Sequence, residues 1–178
     1  MLVIGARGTF FARSLDIEMK LNQEIFQIAA RHKGASICEM LTNCVIFNDG
    51  THSAFAAREE KDERTIVLRD GEKMIFGKNR DKGLILENGS LKVVKIGENG
   101  ITQDDILTHH TDTEDYAVHS MLINMKYPDY PVALGVIRDV KDSTYDEAVS
   151  AQVAEVKEKS PIRCMDDLLN SGSTWTVE

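Results

Sequence analysis

Residues 9–41, TFFARSLDIEMKLNQEIFQIAARHKGASICEML, decide the fold. Thr9–Arg13 reads as a short strand, and Asp16 is a plausible N-cap for the segment behind it. There Ile17, Leu21, Ile25, Ile28 and Ala29 recur at helical spacing on one face. His32 and Lys33 suit a helix C-terminus, where cations meet the negative end of the dipole, and Gly34 supplies the left-handed stop. A second strand runs from about Ala35 to Leu41. Strand, helix, strand is the unit of an open α/β sheet. In such sheets, sites form just beyond the carboxyl ends of strands.

The stretch in that position is Leu41–His52, LTNCVIFNDGTH, with Cys44 near its centre and an Asn-Asp-Gly turn closing it. Cys38, Cys44 and Cys164 form no CxxC pair and no even framework, so they do not read as a disulfide scaffold. They are also too few for a self-contained site, because zinc or an iron–sulfur cluster takes about four protein ligands. Free cysteine is ordinarily a small buried hydrophobe, and Cys38 in its apolar strand fits that reading. For Cys44 two readings stay open: core filler, or one ligand of a site completed from elsewhere.

Outward from this centre, Ser53–Arg64 starts apolar and ends in the charge run REEKDER, a solvated helix end. From Thr65 to Ile101 the runs TIVL, MIF, LIL and LKVVKI are punctuated by Asp70-Gly71, Asn88-Gly89 and Asn99-Gly100. These are hairpin signals and predict a small antiparallel excursion. A helix is expected over about Thr113–Met125, and Pro128 and Pro131 close it. Val132–Val140 then reads as a buried strand. Ser143 or Thr144 caps a last long helix with Tyr145, Val149, Val153 and Val156 on one stripe, ended by Pro161. The main α/β portion therefore covers about 1–64 and 102–160, the excursion 65–101, and a tail 161–178 in which Trp175 is expected to dock. Leu2, Val3 and Ile4 are apolar from the start and read as the end of an element already under way.

The totals are those of a globular domain of 178 residues, 42% hydrophobic and 28% charged. A net charge of −8 argues against nucleic acid or an anionic membrane as partner. No apolar run approaches the roughly 20 residues of a membrane span, and MLVIGARGTFFARS lacks the apolar core of a signal peptide. A cytoplasmic location is the expectation. Adjacent His109 and His110 point apart, so with Asp104, Asp105 and Asp112 they read as a solvated acidic loop rather than a metal pair. There is no GxGxxG, Walker loop or G-x-S-x-G elbow. Asn48-Asp49-Gly50 followed by Asn79 mimics a thiamine diphosphate GDG…N motif but lacks its first glycine, and reads as a turn.

Taken in order, GARGTFFARSLD, AARHKGASICEMLTNCVIFNDGTH, ILTHHTDTEDYAVHSML, YPDYPVALGVIRDV, TYDEAVSAQVAEVKEK and DDLLNSGSTWTV resemble the β subunit of 2-oxoacid:ferredoxin oxidoreductases, most closely the 2-oxoglutarate type. The resemblance covers only the C-terminal half of that subunit. It implies an α/β fold, part of a thiamine-diphosphate-binding open sheet with flanking helices. The implied reaction is oxidative decarboxylation of 2-oxoglutarate to succinyl-coenzyme A with electrons to ferredoxin, in the company of an α subunit. Pyruvate or another 2-oxoacid, or a non-catalytic interaction domain of the same descent, are the alternatives. Implied cofactors of the complete subunit are thiamine diphosphate, Mg2+ and a 4Fe–4S cluster, most of whose ligands lie outside this sequence. The family's fourth cluster ligand matches Cys44, with Val45 where the family usually has proline. No general acid or base is implied here.

Overall fold

The computed structural model describes residues 2–175 and 177. One helical turn, α1 (Leu2–Gly5), leads into β1 (Phe10–Leu15), α2 (Met19–Arg31) and β2 (Ser36–Leu41). Two further helical turns, α3 (Ser53–Ala56) and α4 (Lys61–Arg64), precede β3 (Thr65–Leu68). Then come β4 (Ile75–Phe76), β5 (Lys82–Glu87), β6 (Ser90–Lys95), α5 (Ala117–Asn124) and β7 (Val132–Asp139). The fold is mixed α/β. Its main sheet has the order β2-β1-β7-β3, with β1 parallel to β2, antiparallel to β7, and β3 parallel to β7. A separate antiparallel sheet has the order β4-β5-β6.

The centre of the main sheet is β7, buried from Val132 through Arg138. Val132, Leu134 and Val136 face the cluster under α2, where Leu21 and Ile25 are buried. Ala133 and Ile137 face the opposite cluster, with Leu122 and Ile123 of α5 and Leu84 and Leu91 of the small sheet. A strand covered on both faces reads as a continuous apolar run, which is why residues 132–137 are nearly all apolar. Each such side chain contributes about 1.5–3 kcal/mol on full burial. Gly135 sets the spacing to β3. Its φ is +105°, and a Cβ there would lie 2.3 Å from the Leu68 carbonyl oxygen.

Several boundaries differ from the sequence expectation. TIVL, assigned to the antiparallel excursion, is β3 of the main sheet, its residues Thr65–Leu68 paired with Val132–Gly135. Ile66 and Leu68 are buried there, and Asp70-Gly71 turns the chain off the sheet, the Gly71 amide donating to the His109 carbonyl at 2.8 Å. The excursion therefore begins at β4. Its β5–β6 turn is at Asn88-Gly89 as expected, with both φ positive (51° and 76°), as a two-residue type I′ hairpin requires. Helix α2 starts after Glu18 rather than Asp16. Asp16 instead accepts the Asn43 amide at 3.3 Å, and the Asn22 side chain donates to the carbonyls of Leu15 (3.0 Å) and Asp16 (3.3 Å). Helix α5 is shorter than predicted because the Thr113 carbonyl is engaged by Arg138 at 2.9 Å, which holds the preceding segment out of the helix.

Residues 143–178 form a second compact unit, described here by itself, so that the division falls at Ser143 rather than at 161. It holds α6 (Tyr145–Lys159) and α7 (Met165–Leu169). Thr144 caps α6 in a reciprocal box with Glu147, an arrangement that contributes about 1 kcal/mol. The predicted stripe is present but unburied, since Tyr145, Val149, Val153 and Val156 are all exposed. Trp175 is 83% exposed. Of the tail, Thr176 and Glu178 lie outside the described residues.

Replacing Gly135 with alanine is expected to destabilise the sheet by about 2–4 kcal/mol, read as a lower urea midpoint at unchanged slope. A midpoint within error of the parent would contradict the close β3–β7 approach.

Candidate functional site

The Cys44 loop is built from its own side chains. Asn43 spans it, its amide nitrogen donating to Asp49 Oδ1 at 2.9 Å while its oxygen accepts the Gly50 amide at 2.8 Å. The Asn48 amide donates to the Cys44 carbonyl at 2.9 Å, and the Asn48 side chain donates to Thr51 Oγ1 at 2.7 Å. Gly50 takes a positive φ of 73°, which closes the turn. The Asn43 amide, held by Asp16, ties the loop back to the end of β1. The result is a short, internally braced loop at the carboxyl end of β2, where the sequence placed it.

Within this loop Cys44 is half-exposed. The backbone amides of Phe47 and Ile46 near its sulfur favour the thiolate and hold the thiol below its usual pKa. Amide donors to a thiolate are also what tunes a metal–thiolate centre. Cys38 has the opposite environment. It packs on the cluster under α2, and burial pushes its pKa up, as expected of a filler. Cys164 is exposed at the start of α7, in the second unit. Among the described residues, Cys44 joins no group of three or more metal-ligating side chains. An accessible sulfur with a lowered pKa has the chemistry of a metal ligand.

Asn48-Asp49-Gly50 does not fit a diphosphate site. Asn48 and Asp49 are committed to Thr51 and Asn43, so the segment is the turn that the sequence suggested.

The histidines divide in a way that the sequence only partly foretold. His109 and His110 do point apart, but His109 is buried rather than in a solvated loop. Its Nε2 donates to the Val136 carbonyl at 2.9 Å, and its Nδ1 has no hydrogen-bond partner among the described residues. His119 is buried too, its Nε2 2.8 Å from the His110 carbonyl and its Nδ1 3.2 Å from Arg138 Nη1. A guanidinium donating to Nδ1 and a carbonyl accepting from Nε2 fix the neutral tautomer. Burial pushes both histidines below their usual pKa, and Arg138 adds to the effect at His119. Outside this core, exposed Asp70, His110 and Asp112 bring ligand atoms within 4.8 Å of one another. Asp70 is held there by the Thr111 amide (2.8 Å) and hydroxyl (3.1 Å).

Sequence reading missed one further arrangement. Thr9 Oγ1 lies 2.9 Å from His32 Nε2, and His32 Nδ1 lies 2.8 Å from Asp139 Oδ1. The three residues join the start of β1, the end of α2 and the end of β7, so the chain of bonds pins three element ends together. No local signal marks it, because the partners are 23 and 107 residues apart.

The candidate site is one cysteine on a braced loop that follows the edge strand of an open α/β sheet. The chain is 34% identical, over 181 aligned residues, to the 2-oxoglutarate oxidoreductase subunit KorB of Mycobacterium tuberculosis. That match takes in 99% of this chain and 48% of the relative, so the chain spans about half the length of the curated protein it matches. The resemblance read from the ordered motifs is borne out at the level of a 2-oxoglutarate oxidoreductase subunit, and a match to about half of the relative is consistent with the half-subunit extent expected from them. No family model and no solved structure matches. Among the described residues, no helix is long and apolar enough to cross a membrane.

Two outcomes follow from these environments. Brief alkylation with iodoacetamide at neutral pH, mapped by mass spectrometry, should label Cys44 well before Cys38, and equal labelling would contradict the two thiol environments. Because the folded-state pKa values of His109 and His119 are depressed, their stabilisation is complete above the unfolded value of about 6.5 and is lost as pH falls below it. Urea midpoints at pH 7.5 and 5.5 should show that loss, and a His109→Asn, His119→Asn double variant should flatten it. An equal slope in the double variant would contradict this assignment.

Proposed function

We propose that this chain is a β-subunit portion of a 2-oxoglutarate:ferredoxin oxidoreductase, supplying Cys44 as one thiolate ligand of a 4Fe–4S cluster. The observation that carries the reading is the Cys44 loop. A half-exposed sulfur faces amide donors from Phe47 and Ile46 on a loop braced by Asn43. Similarity to KorB along nearly the whole chain supports the same assignment.

The proposed reaction converts 2-oxoglutarate, coenzyme A and two oxidised ferredoxins into succinyl-coenzyme A, carbon dioxide, two reduced ferredoxins and one proton, the last from the coenzyme A thiol. When bound, thiamine diphosphate with Mg2+ supplies the nucleophile for the 2-oxo carbon and the cluster supplies one-electron transfer. This chain's own part is to hold one corner of the cluster. Asn43, Asp49 and Gly50 fix the loop, and the nearby Phe47 and Ile46 amides disfavour protonation of the sulfur and would adjust the cluster's potential. Asn48 and Asp49 are consumed by the turn, so the thiamine diphosphate and its Mg2+ are assigned to residues beyond this chain. The chain by itself is accordingly inactive and works with that remaining portion and an α subunit.

In the assembled oxidoreductase, Cys44→Ser should abolish cluster absorbance and cut 2-oxoglutarate-dependent ferredoxin reduction by at least about 100-fold, whereas Cys38→Ser should leave iron content unchanged. Normal iron and activity in Cys44→Ser would remove Cys44 from the centre. Turnover of the same complex on 2-oxoglutarate, pyruvate and a branched 2-oxoacid should favour the first, and a preference for either other acid would overturn the substrate assignment.

A further inference from the structure

The carboxyl ends of β3 and β7 lie side by side, because the two strands are parallel neighbours with Thr65–Leu68 set against Val132–Gly135. Ligand sites in open α/β sheets form beyond such ends. Here α2 covers them and leaves a cavity of about 290 Å³, at the lower end of the roughly 300–1,000 Å³ of small-molecule sites. The floor is apolar: Leu21 and Ile25 of α2 meet Leu68 and Val136, and all four are buried. The rim is acidic, formed by Glu24, Asp70 and Asp139. Among the described residues at the rim the one cation is Arg69, and it is engaged by Glu24, with Nη1 2.8 Å from Oε2. Asp139 Oδ1 lies 2.8 Å from His32 Nδ1. Asp70 has neutral hydrogen-bond partners, the Thr111 amide at 2.8 Å and hydroxyl at 3.1 Å, and the amide above all holds its carboxyl below the usual range. Asp112 brings a further carboxylate close by, the ligand atoms of Asp70, His110 and Asp112 all lying within 4.8 Å of one another. An apolar floor under ionised carboxylates complements an aliphatic chain that ends in a positive charge.

We propose that this cavity binds a small aliphatic amine in its ammonium form, with the alkyl chain against Leu21, Ile25, Leu68 and Val136 and the ammonium donating to Asp70. The site is independent of the oxidoreductase reading and goes beyond it. Charge separates its ligand from the substrates of the proposed reaction: 2-oxoglutarate and coenzyme A are anions, which the same carboxylates repel. Position separates the two sites as well. β1 runs parallel to β2 and antiparallel to β7, so the cavity lies at the margin of the sheet opposite the one from which the Cys44 loop emerges. A bare metal ion would use the carboxylates and leave the apolar floor unfilled, so the floor selects an organic cation.

The test is isothermal titration calorimetry on the full chain with hexylammonium, and in parallel with hexanoate, ammonium and calcium ions. Saturable binding of hexylammonium is expected, with each of the other three at least about 10-fold weaker. Asp70→Asn keeps an oxygen for Thr111 and removes the charge, and should weaken hexylammonium binding at least about 10-fold. Ile28 lines the cavity and is 37% exposed, so Ile28→Trp fills the space from its solvent side and should abolish binding. No saturable hexylammonium binding in the millimolar range, equal binding of any of the other three ions, or unchanged affinity in either variant would overturn the proposal. Should a variant fail to fold, the comparison of the four ions on the parent chain decides by itself.

Discussion

Everything in the main domain depends on β7 being buried on both faces. A strand in that position needs a helix on one side and a second layer on the other, and α2 and the α5–small-sheet layer are those covers. It also needs neighbours close on each edge. On the β3 side the approach is so tight that Gly135 is the only residue type that fits beneath the Leu68 carbonyl. On the β1 side the register shifts between Phe11 and Ala12, and β1 then carries β2 in parallel. The Cys44 loop, which follows β2, is thus two strands removed from the constraint that places it. The Thr9–His32–Asp139 bonds tie the ends of β1, α2 and β7 together, which keeps that transmission rigid.

Much of this was legible in the sequence. The 3.6-residue period of Leu21, Ile25 and Ala29, the glycine after His32, and the alternation to Leu41 give β1–α2–β2 directly, because each is a local signal. Asn88-Gly89 and the Thr144–Glu147 box are local as well, and both appear where expected. What failed was non-local. TIVL has the texture of an excursion strand, and only pairing with residues some 67 positions later makes it part of the main sheet. Asp16 has the chemistry of an N-cap, yet the Asn43 amide claims its carboxylate from the far end of β2. His109 looked solvated among aspartates, and its burial follows from where β7 happens to place the Val136 carbonyl.

The site shows the same division. That a cysteine stood at a strand's carboxyl end was plain from spacing, but spacing alone favoured filler over ligand. The structure sets the two thiols in different environments: burial raises the Cys38 pKa, and nearby backbone amides lower that of Cys44.

The central claim is that Cys44 binds iron in the assembled enzyme, and a structure of that assembly tests it most directly. The account predicts a 4Fe–4S cluster with one iron bonded to Cys44 Sγ and its other thiolates drawn from outside residues 1–178. A cluster held entirely by other cysteines, with Cys44 Sγ free, would contradict it.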